Sequence, residues 1–373
     1  MKSTKLLFCD NTLWGLVNFR GDVIRYFKNI GYEIVLVAPE KEDEQLRTDI
    51  PQDVKYIPVK MGRTTTNPLD DLKYFIRLLR IFKEEKPDFV FNYTIKPNIY
   101  GSIAAKINKC HTTAMMAGLG FTFQTDTLQT RIARLLYKTG LKFTDNLLLL
   151  NSDSLKVIKK KKLCNKNKIT LLEGGEGINL DKFKYQDNES TTITFMFIGR
   201  LLWDKGYDEF SKAARIVKEK YPEVKFQMLG ALDPSYPKSV PTERIKQDEK
   251  DGIIEYIGFT NNMNDIYKRK GLVITLPSYS EGMNRALMEA CACGKPIITT
   301  DIPGCRELVV ENQNGFIVKP KDTISLSEAM IKYIQLPEET KLCFSQNSRK
   351  HAEAKFDVKD VIKVYKKIIN NSI

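Results

Sequence analysis

Short β-branched and apolar runs alternate with longer amphipathic stretches along the whole chain. Leu6–Cys9, Glu33–Val37, Phe89–Asn92, His111–Met116 and Asn146–Leu150 predict strands, because their apolar runs are too short for buried helices. Between them the spacing predicts helices near Arg20–Asn29, over 70–86, over Asn98–Asn108 and over 127–142. The polar stretch Tyr185–Thr192 interrupts the pattern, which then restarts. Ile193–Ile198, Lys225–Leu229, Ile253–Ile257, Val273–Leu276 and Pro296–Thr299 predict strands, with helices over Tyr207–Lys220 and Gly282–Cys293. Strand–helix alternation of this kind gives an α/β fold with parallel sheets covered by helices on both faces. The expected organisation is two doubly wound, Rossmann-like domains, 1–187 and 188–355. The last helix, about 356–369, is expected to pack back on the first. Doubly wound sheets bind ligands at the carboxyl ends of their strands, here expected to face a shared cleft.

Length agrees with two domains: 373 residues, 42% hydrophobic, leave each half enough material for its own core. Seven Cys do not make a disulfide framework, Cys291 and Cys293 lack partners for a zinc set, and two His exclude a His-rich metal site. No segment reaches the roughly 18–20 apolar residues of a membrane span. The N-terminus turns acidic at Asp10 before a signal-peptide core forms. A soluble, cytoplasmic chain with reduced thiols is expected. Charge changes the picture more. The net charge is +13, and residues 51–162 alone hold 20 Lys and Arg against 9 Asp and Glu. Such an excess suits a nucleic acid, an anionic membrane or a phosphate-rich ligand, or simply a lysine-rich solvated surface.

Two stretches of the second half carry candidate chemistry. In Gly199-Arg200-Leu201-Leu202-Trp203-Asp204-Lys205-Gly206 a strand ends at a glycine, and Arg200 and Lys205 precede a helix. A guanidinium fork, an ammonium and a helix N-terminus together suit a diphosphate. Taken alone, that stretch reads more readily as a surface loop. The second stretch, Pro277 to Ala290, changes this. Glu281 sits at a strand-to-helix turn and Glu289 eight residues on, about two helical turns. The N–H groups of Gly282, Met283 and Asn284 stand where a starting helix offers donors to an anion. Glu289 suits ribose hydroxyls, and its apolar neighbours Leu287, Met288, Ala290 and Cys291 make an unbonded carboxylate costly.

Gly199-Arg200-Leu201 with Lys205-Gly206, Glu281-x7-Glu289, and the run Ala292-Cys293-Gly294-Lys295-Pro296 through Gly304-Cys305-Arg306-Glu307 resemble the retaining GT-B glycosyltransferases of family 4. Gly177–Phe183 resembles that family's segment leading into the second domain. The resemblance implies a sugar-nucleotide donor, UDP by family habit, with no cofactor and no metal. It assigns Arg200, Lys205 and Glu281 to catalysis, with the two cations stabilising the departing diphosphate. It assigns Gly199, Gly282, Met283, Asn284 and Glu289 to the donor. The first half resembles the bacterial branch that extends undecaprenyl-diphosphate-linked glycans, N-acetylgalactosaminyltransferases among them. Phe19-Arg20, Lys96-Pro97-Asn98-Ile99-Tyr100-Gly101 and Gly118-Leu119-Gly120 carry that likeness, and place Arg20, Lys96, Asn98 and Gly120 on the acceptor side. Many relatives have a His where this chain has Ile95. The donor phosphate would then act as base for the acceptor hydroxyl, and neither His111 nor His351 is assigned a role.

A lipid-diphosphate acceptor gives the basic half a purpose. Arg131, Arg134, Lys138 and Lys142 share one helix face, Lys73, Arg77 and Arg80 another, and Lys159–Lys162 are consecutive. Peripheral attachment to the anionic inner leaflet of the plasma membrane is the expectation, against an exposed basic face with no membrane role. A sugar-nucleotide epimerase would need no lipid acceptor. A nucleic-acid partner is not expected, because no recognition motif accompanies the charge. An NAD enzyme is disfavoured, because Asp10–Gly15 contains no Gly-x-Gly-x-x-Gly.

Overall fold

The computed structural model describes residues 3–39, 50–51, 53–62, 67–119, 123, 126–190, 192–234 and 236–372. Two compact units divide the chain: Met1–Glu176 with Val358–Ile373, and Gly177–Asp357.

The first unit is built on a seven-stranded, wholly parallel sheet. Its strands are β1 (Lys5–Cys9), β2 (Glu33–Ala38), β3 (Lys55–Pro58), β4 (Phe89–Tyr93), β5 (His111–Met116), β6 (Asn146–Leu149) and β7 (Ile169–Leu171), in the order β3-β2-β1-β4-β5-β6-β7. The central strands are apolar on both faces, as β1 shows: Leu6, Leu7, Phe8 and Cys9 are all buried. β3 and β7 escape the sequence pattern because each is a short, half-exposed edge strand. The first helix starts at Leu13, not near Arg20, because Thr12 caps it by accepting the Gly15 N–H. The stretch expected as one helix over Asn98–Asn108 opens with a wide π turn, Pro97–Gly101, before Ser102–Ile107 continues as α-helix. The terminal helix Val358–Asn370 belongs to this unit: Tyr365 hydroxyl meets that of Tyr93 at 2.8 Å, and its ring lies 4.9 Å from Phe91.

The second unit repeats the plan with six parallel strands: β8 (Thr194–Ile198), β9 (Lys225–Leu229), β10 (Glu255–Tyr256), β11 (Leu272–Leu276), β12 (Ile297–Thr300) and β13 (Gly315–Val318). Their order is β10-β9-β8-β11-β12-β13. β13 opens on Gly315, where a Cβ would stand 1.9 Å from the Ile297 carbonyl oxygen, so the pairing of β12 with β13 depends on that glycine. Helices Thr242–Lys250, Met263–Tyr267, Thr323–Ile334 and Glu338–Lys355 complete the layers. Gly177–Phe183 goes with this unit. Ile178 N–H donates to the Phe356 carbonyl at 2.6 Å, and Phe183 packs edge-on to Tyr267.

In both sheets the winding reverses at one pair of neighbours, β1/β4 in the first unit and β8/β11 in the second. Loops leaving those strands at their carboxyl ends diverge and leave a crevice.

Candidate active site

The second unit's crevice is formed by the loops after β8 and β11. Gly206 joins them. Its φ is +82°, and a Cβ there would lie 2.2 Å from the Pro277 carbonyl oxygen. Only glycine lets the two backbones approach so closely. The approach is then locked. Tyr279 N–H donates to the Asp204 carbonyl at 2.9 Å, and Tyr279 hydroxyl donates to Glu209 Oε1 at 2.5 Å. Lys205, in the single 3-10 turn Trp203–Lys205, thereby faces Glu281, Nζ to Oε1 at 2.5 Å. Both side chains are mostly enclosed, 19% and 11% exposed. The contact is charge-assisted and partly shielded from water, and therefore stronger than a surface ion pair.

Arg200 leaves the same loop closer to β8. Its guanidinium is half exposed, 3.8 Å from Asp233 Oδ2 and 5.0 Å from the centre of the Tyr236 ring. Gly199 ends the strand, and its carbonyl oxygen would lie 1.7 Å from a Cβ on Gly230, so this neighbour is glycine too. The helix expected from Gly282 begins at Arg285 instead. Gly282 and Met283 are loop residues, and Asn284 is the cap, accepting the Leu287 N–H at 3.0 Å. The Asn284 N–H itself donates to the Gly304 carbonyl at 2.9 Å. Asn284 therefore contributes by shaping the loop, and its N–H is already committed.

Glu289 is buried on this helix. Arg285 Nε donates to its Oε1 at 2.9 Å, and the Tyr267 hydroxyl, which donates to the Ala286 carbonyl at 2.9 Å, lies 3.5 Å from its Oε2. Burial raises its pKa above the ordinary glutamate value, and Arg285 opposes that rise. Arg285 and Tyr267 are site residues the sequence motifs did not single out. The i,i+4 spacing of Arg285 and Glu289 was the available signal for the first; nothing local pointed to Tyr267. Among the described residues no cluster of His, Cys, Asp or Glu gathers as metal ligands.

In the first unit, Lys96 and Asn98 stand at the carboxyl end of β4. Lys96 Nζ lies 2.6 Å from Asp71 Oδ1, and Tyr100 hydroxyl donates to Asp71 Oδ2 at 3.0 Å. Asn98 is fully buried and donates to the Met115 carbonyl at 2.8 Å. Arg20 is buried as well, with Nε 2.9 Å from Glu176 Oε2, Nη1 3.5 Å from Asp10 Oδ2, and its plane 4.4 Å from the Tyr93 ring centre. Asn98 and Arg20 thus hold this rim together from beneath, whereas Lys96 lies nearer the surface. Gly120 lies outside the described residues. Ile95 is exposed. His111 begins β5, at the opposite end of the sheet, stacked on Phe89.

Two family descriptions match the chain: "Glycosyl transferase 4-like" over residues 5–152 and "Glycosyl transferases group 1" over 179–351. The chain is 27% identical over 377 residues to an N,N'-diacetylbacillosaminyl-diphospho-undecaprenol alpha-1,3-N-acetylgalactosaminyltransferase of Campylobacter jejuni, covering 95% of this chain and 96% of that one. It is 27% identical to the capsular polysaccharide biosynthesis glycosyltransferase CapM of Staphylococcus aureus, covering 95% and 94%. Among solved structures, a Rickettsia africae glycosyltransferase superposes with a TM-score of 0.79 at 17% identity, covering 100% of both chains. Anabaena HepE with UDP bound gives 0.76 at 17% identity, covering 99% and 100%. With two wound sheets, a glycine-locked Lys205–Glu281 contact and both matching halves, the chain belongs to the GT-B glycosyltransferases whose second half is the group 1 domain.

Proposed function

We propose that this glycosyltransferase moves a sugar from a UDP-sugar to a lipid-diphosphate-linked glycan, with retention at the anomeric carbon and without a metal. Names of relatives supply the substrate class: the Campylobacter jejuni protein and an Escherichia coli galactosyltransferase, 26% identical, both carry an undecaprenol diphosphate in their names. An N-acetylhexosamine such as GalNAc, or a hexose, is the donor sugar, and surface-polysaccharide synthesis the setting. The observation that carries the reading is Lys205 held against Glu281 at the β8/β11 crevice.

The chemistry follows from that contact. Lys205 is charged, mostly enclosed and fixed in place, which suits a group that must meet negative charge building up on a departing diphosphate. Arg200, more exposed, contributes a two-pronged donor to the same oxygens. Relieved of Lys205, the Glu281 carboxylate accepts hydrogen bonds from donor-sugar hydroxyls. Glu289 accepts from the ribose while Arg285 and Tyr267 hold it. The donor's own phosphate oxygen takes the acceptor hydroxyl's proton as the new glycosidic bond forms on the face the nucleotide leaves. On the acceptor side, Lys96 meets the lipid diphosphate. Among the described residues no helix is long and apolar enough to cross a membrane. Attachment to the inner leaflet is peripheral, through the cationic helix faces of the first unit.

Calorimetry with a UDP-sugar panel, followed by mass spectrometry of a lipid-linked acceptor, tests this. The expected result is one UDP-sugar bound without added metal and one sugar added. Binding of none of them, or product of inverted configuration, overturns it.

A further inference from the structure

Two helices of the first unit share a surface pattern that a soluble core does not explain. On Leu128–Phe143, the residues Leu128, Ile132 and Leu135 are 75%, 51% and 65% exposed. Their spacing puts them in one row along the outer face. On Pro68–Glu85, the residues Leu69, Leu72 and Ile76 form a second such row, 66%, 53% and 39% exposed. Isolated exposed leucines are ordinary, but rows of them on two helices are not.

The orientation of the longer row is fixed. Gly140 faces inward, where a Cβ would lie 2.7 Å from Ile99 Cα, and Tyr137 and Leu141 are buried beside it. The apolar row therefore cannot roll inward without losing that packing. Beside each row runs a row of exposed cations, Lys138 and Lys142 on one helix, Lys73 and Arg77 on the other. Both helices pack against the segment Pro97–Ile107, which begins next to Lys96. Asp71, the partner of Lys96, lies in the first turn of Pro68–Glu85, next to Leu72.

We infer that these two apolar rows insert into the headgroup boundary of an anionic bilayer leaflet, with the cation rows gripping lipid phosphates and Lys96 facing the leaflet between the helices. The inference deepens the lipid-linked acceptor reading and rests on it for Lys96 alone. The occupant is a bilayer because apolar rows bordered by cations match its chemistry, fatty below and anionic at the surface. The stretch 51–162, which contains both helices, has an 11-charge cationic excess (20 against 9), complementary to such lipids. Two consequences separate insertion from simple charge attraction. Binding keeps a salt-resistant component, and it falls when apolar residues are replaced with every cation left in place.

The test is sedimentation with vesicles of phosphatidylglycerol and phosphatidylethanolamine, at low and high salt. The parent chain is expected to sediment under both conditions. Leu128→Gln/Ile132→Gln/Leu135→Gln, all at solvent-exposed positions, should weaken high-salt binding by about tenfold or more. Lys138→Gln/Lys142→Gln should weaken only the low-salt binding, and Ile107→Gln, an exposed apolar residue outside the rows, should change neither. Turnover of a short-chain, water-soluble acceptor should stay at the parent rate in the triple variant while turnover of the vesicle-borne acceptor falls. Equal vesicle binding by parent and triple variant overturns the inference, as does a parent that never sediments. A dimer in ultracentrifugation that the triple variant dissolves also overturns it, in favour of self-association. A parent chain that turns over neither acceptor would count against the glycosyl-transfer reading instead.

Discussion

Arg285 and Glu289 are bound to each other one turn apart on the helix that follows Glu281, Nε to Oε1 at 2.9 Å. The pair gives a charged partner to a carboxylate whose helix neighbours Leu287, Met288, Ala290 and Cys291 are all buried. Burial favours its neutral form; Arg285 favours the ionised one, supported by Lys182 and the Tyr267 hydroxyl.

Arg285→Gln is therefore expected to destabilise in a pH-dependent way. A glutamate whose folded pKa is raised stabilises the fold below its ordinary value, and that contribution is lost as pH rises through the folded value. Without Arg285 the folded value climbs further, so more is lost at neutral pH than in acid. The expected loss is about 2–3 kcal/mol near neutrality and clearly less at about pH 5. Urea unfolding at both pH values checks it. Equal losses would make Arg285 a packing residue with no electrostatic duty. The Tyr267 hydroxyl and the Cys293 thiol face the same carboxylate but stay protonated throughout this range, since burial pushes both well up.

On the proposed mechanism, Lys205→Ala removes the ammonium that would meet the leaving diphosphate, and with it the contact to Glu281. Loss of one such preorganised donor costs about 10²–10³ in kcat. If the same ammonium also contacts the donor before reaction, as the proposal has it, UDP affinity should fall by about tenfold. Stopped turnover assays and calorimetry separate the two effects. Near-parent kcat would remove Lys205 from catalysis.

Gly206→Ala tests whether the crevice depends on backbone approach. The added Cβ would stand 2.2 Å from the Pro277 carbonyl oxygen, and φ there is +82°. A loss of about 2–4 kcal/mol is expected, together with a raised donor KM as Lys205 shifts. Gly252→Ala is the comparison: φ is +68° with nothing within 4 Å, so only the left-handed penalty of about 1 kcal/mol applies. Similar melting of the two variants would mean the β8 and β11 loops tolerate separation.

Much of this was legible in the chain. Buried parallel strands announce themselves as unbroken apolar runs, so β1, β4, β8 and β11, which set the crevices, were found from pattern alone. Edge strands were harder: β3 and β7 are short and half exposed and were missed, β13 was missed although mostly buried, and β10 fell within the expected Ile253–Ile257. The Lys205–Glu281 contact joins residues 76 positions apart, and a motif can name both ends without giving their separation. The helix start at Arg285 was misplaced because the turn after Glu281 was read as its beginning, although Asn284 is of a residue type favoured as an N-cap. Cation rows were visible as charge, but the exposure of the leucines and isoleucines beside them was not, since only packing decides which face of a helix is buried.

Lys295 gives the last expectation, and its sign differs from that of Glu289. It is fully buried, and its Nζ donates to Asn188 Oδ1 at 2.9 Å and to the Arg269 carbonyl at 3.0 Å, tying the segment before β8 to the turn before β11. Burial pulls its pKa down to about 8, against an ordinary lysine value of 10.5. Asp187 and the Cys293 thiol favour its charged form, and Lys270 opposes it. A lysine lowered on folding binds fewer protons in the folded than in the unfolded chain between those two values. Stability therefore gains from this group as pH rises from about 8 toward 10.5. Lys295→Met removes the titrating group and should flatten that stretch of the stability profile, by an amount on the order of 3 kcal/mol across the window. The same variant leaves Asn188 Oδ1 and the Arg269 carbonyl short of a donor, a cost that does not vary with pH. Guanidinium unfolding at half-unit pH steps distinguishes the two. Parallel parent and variant profiles would mean that Lys295 is reached by water and keeps an ordinary pKa.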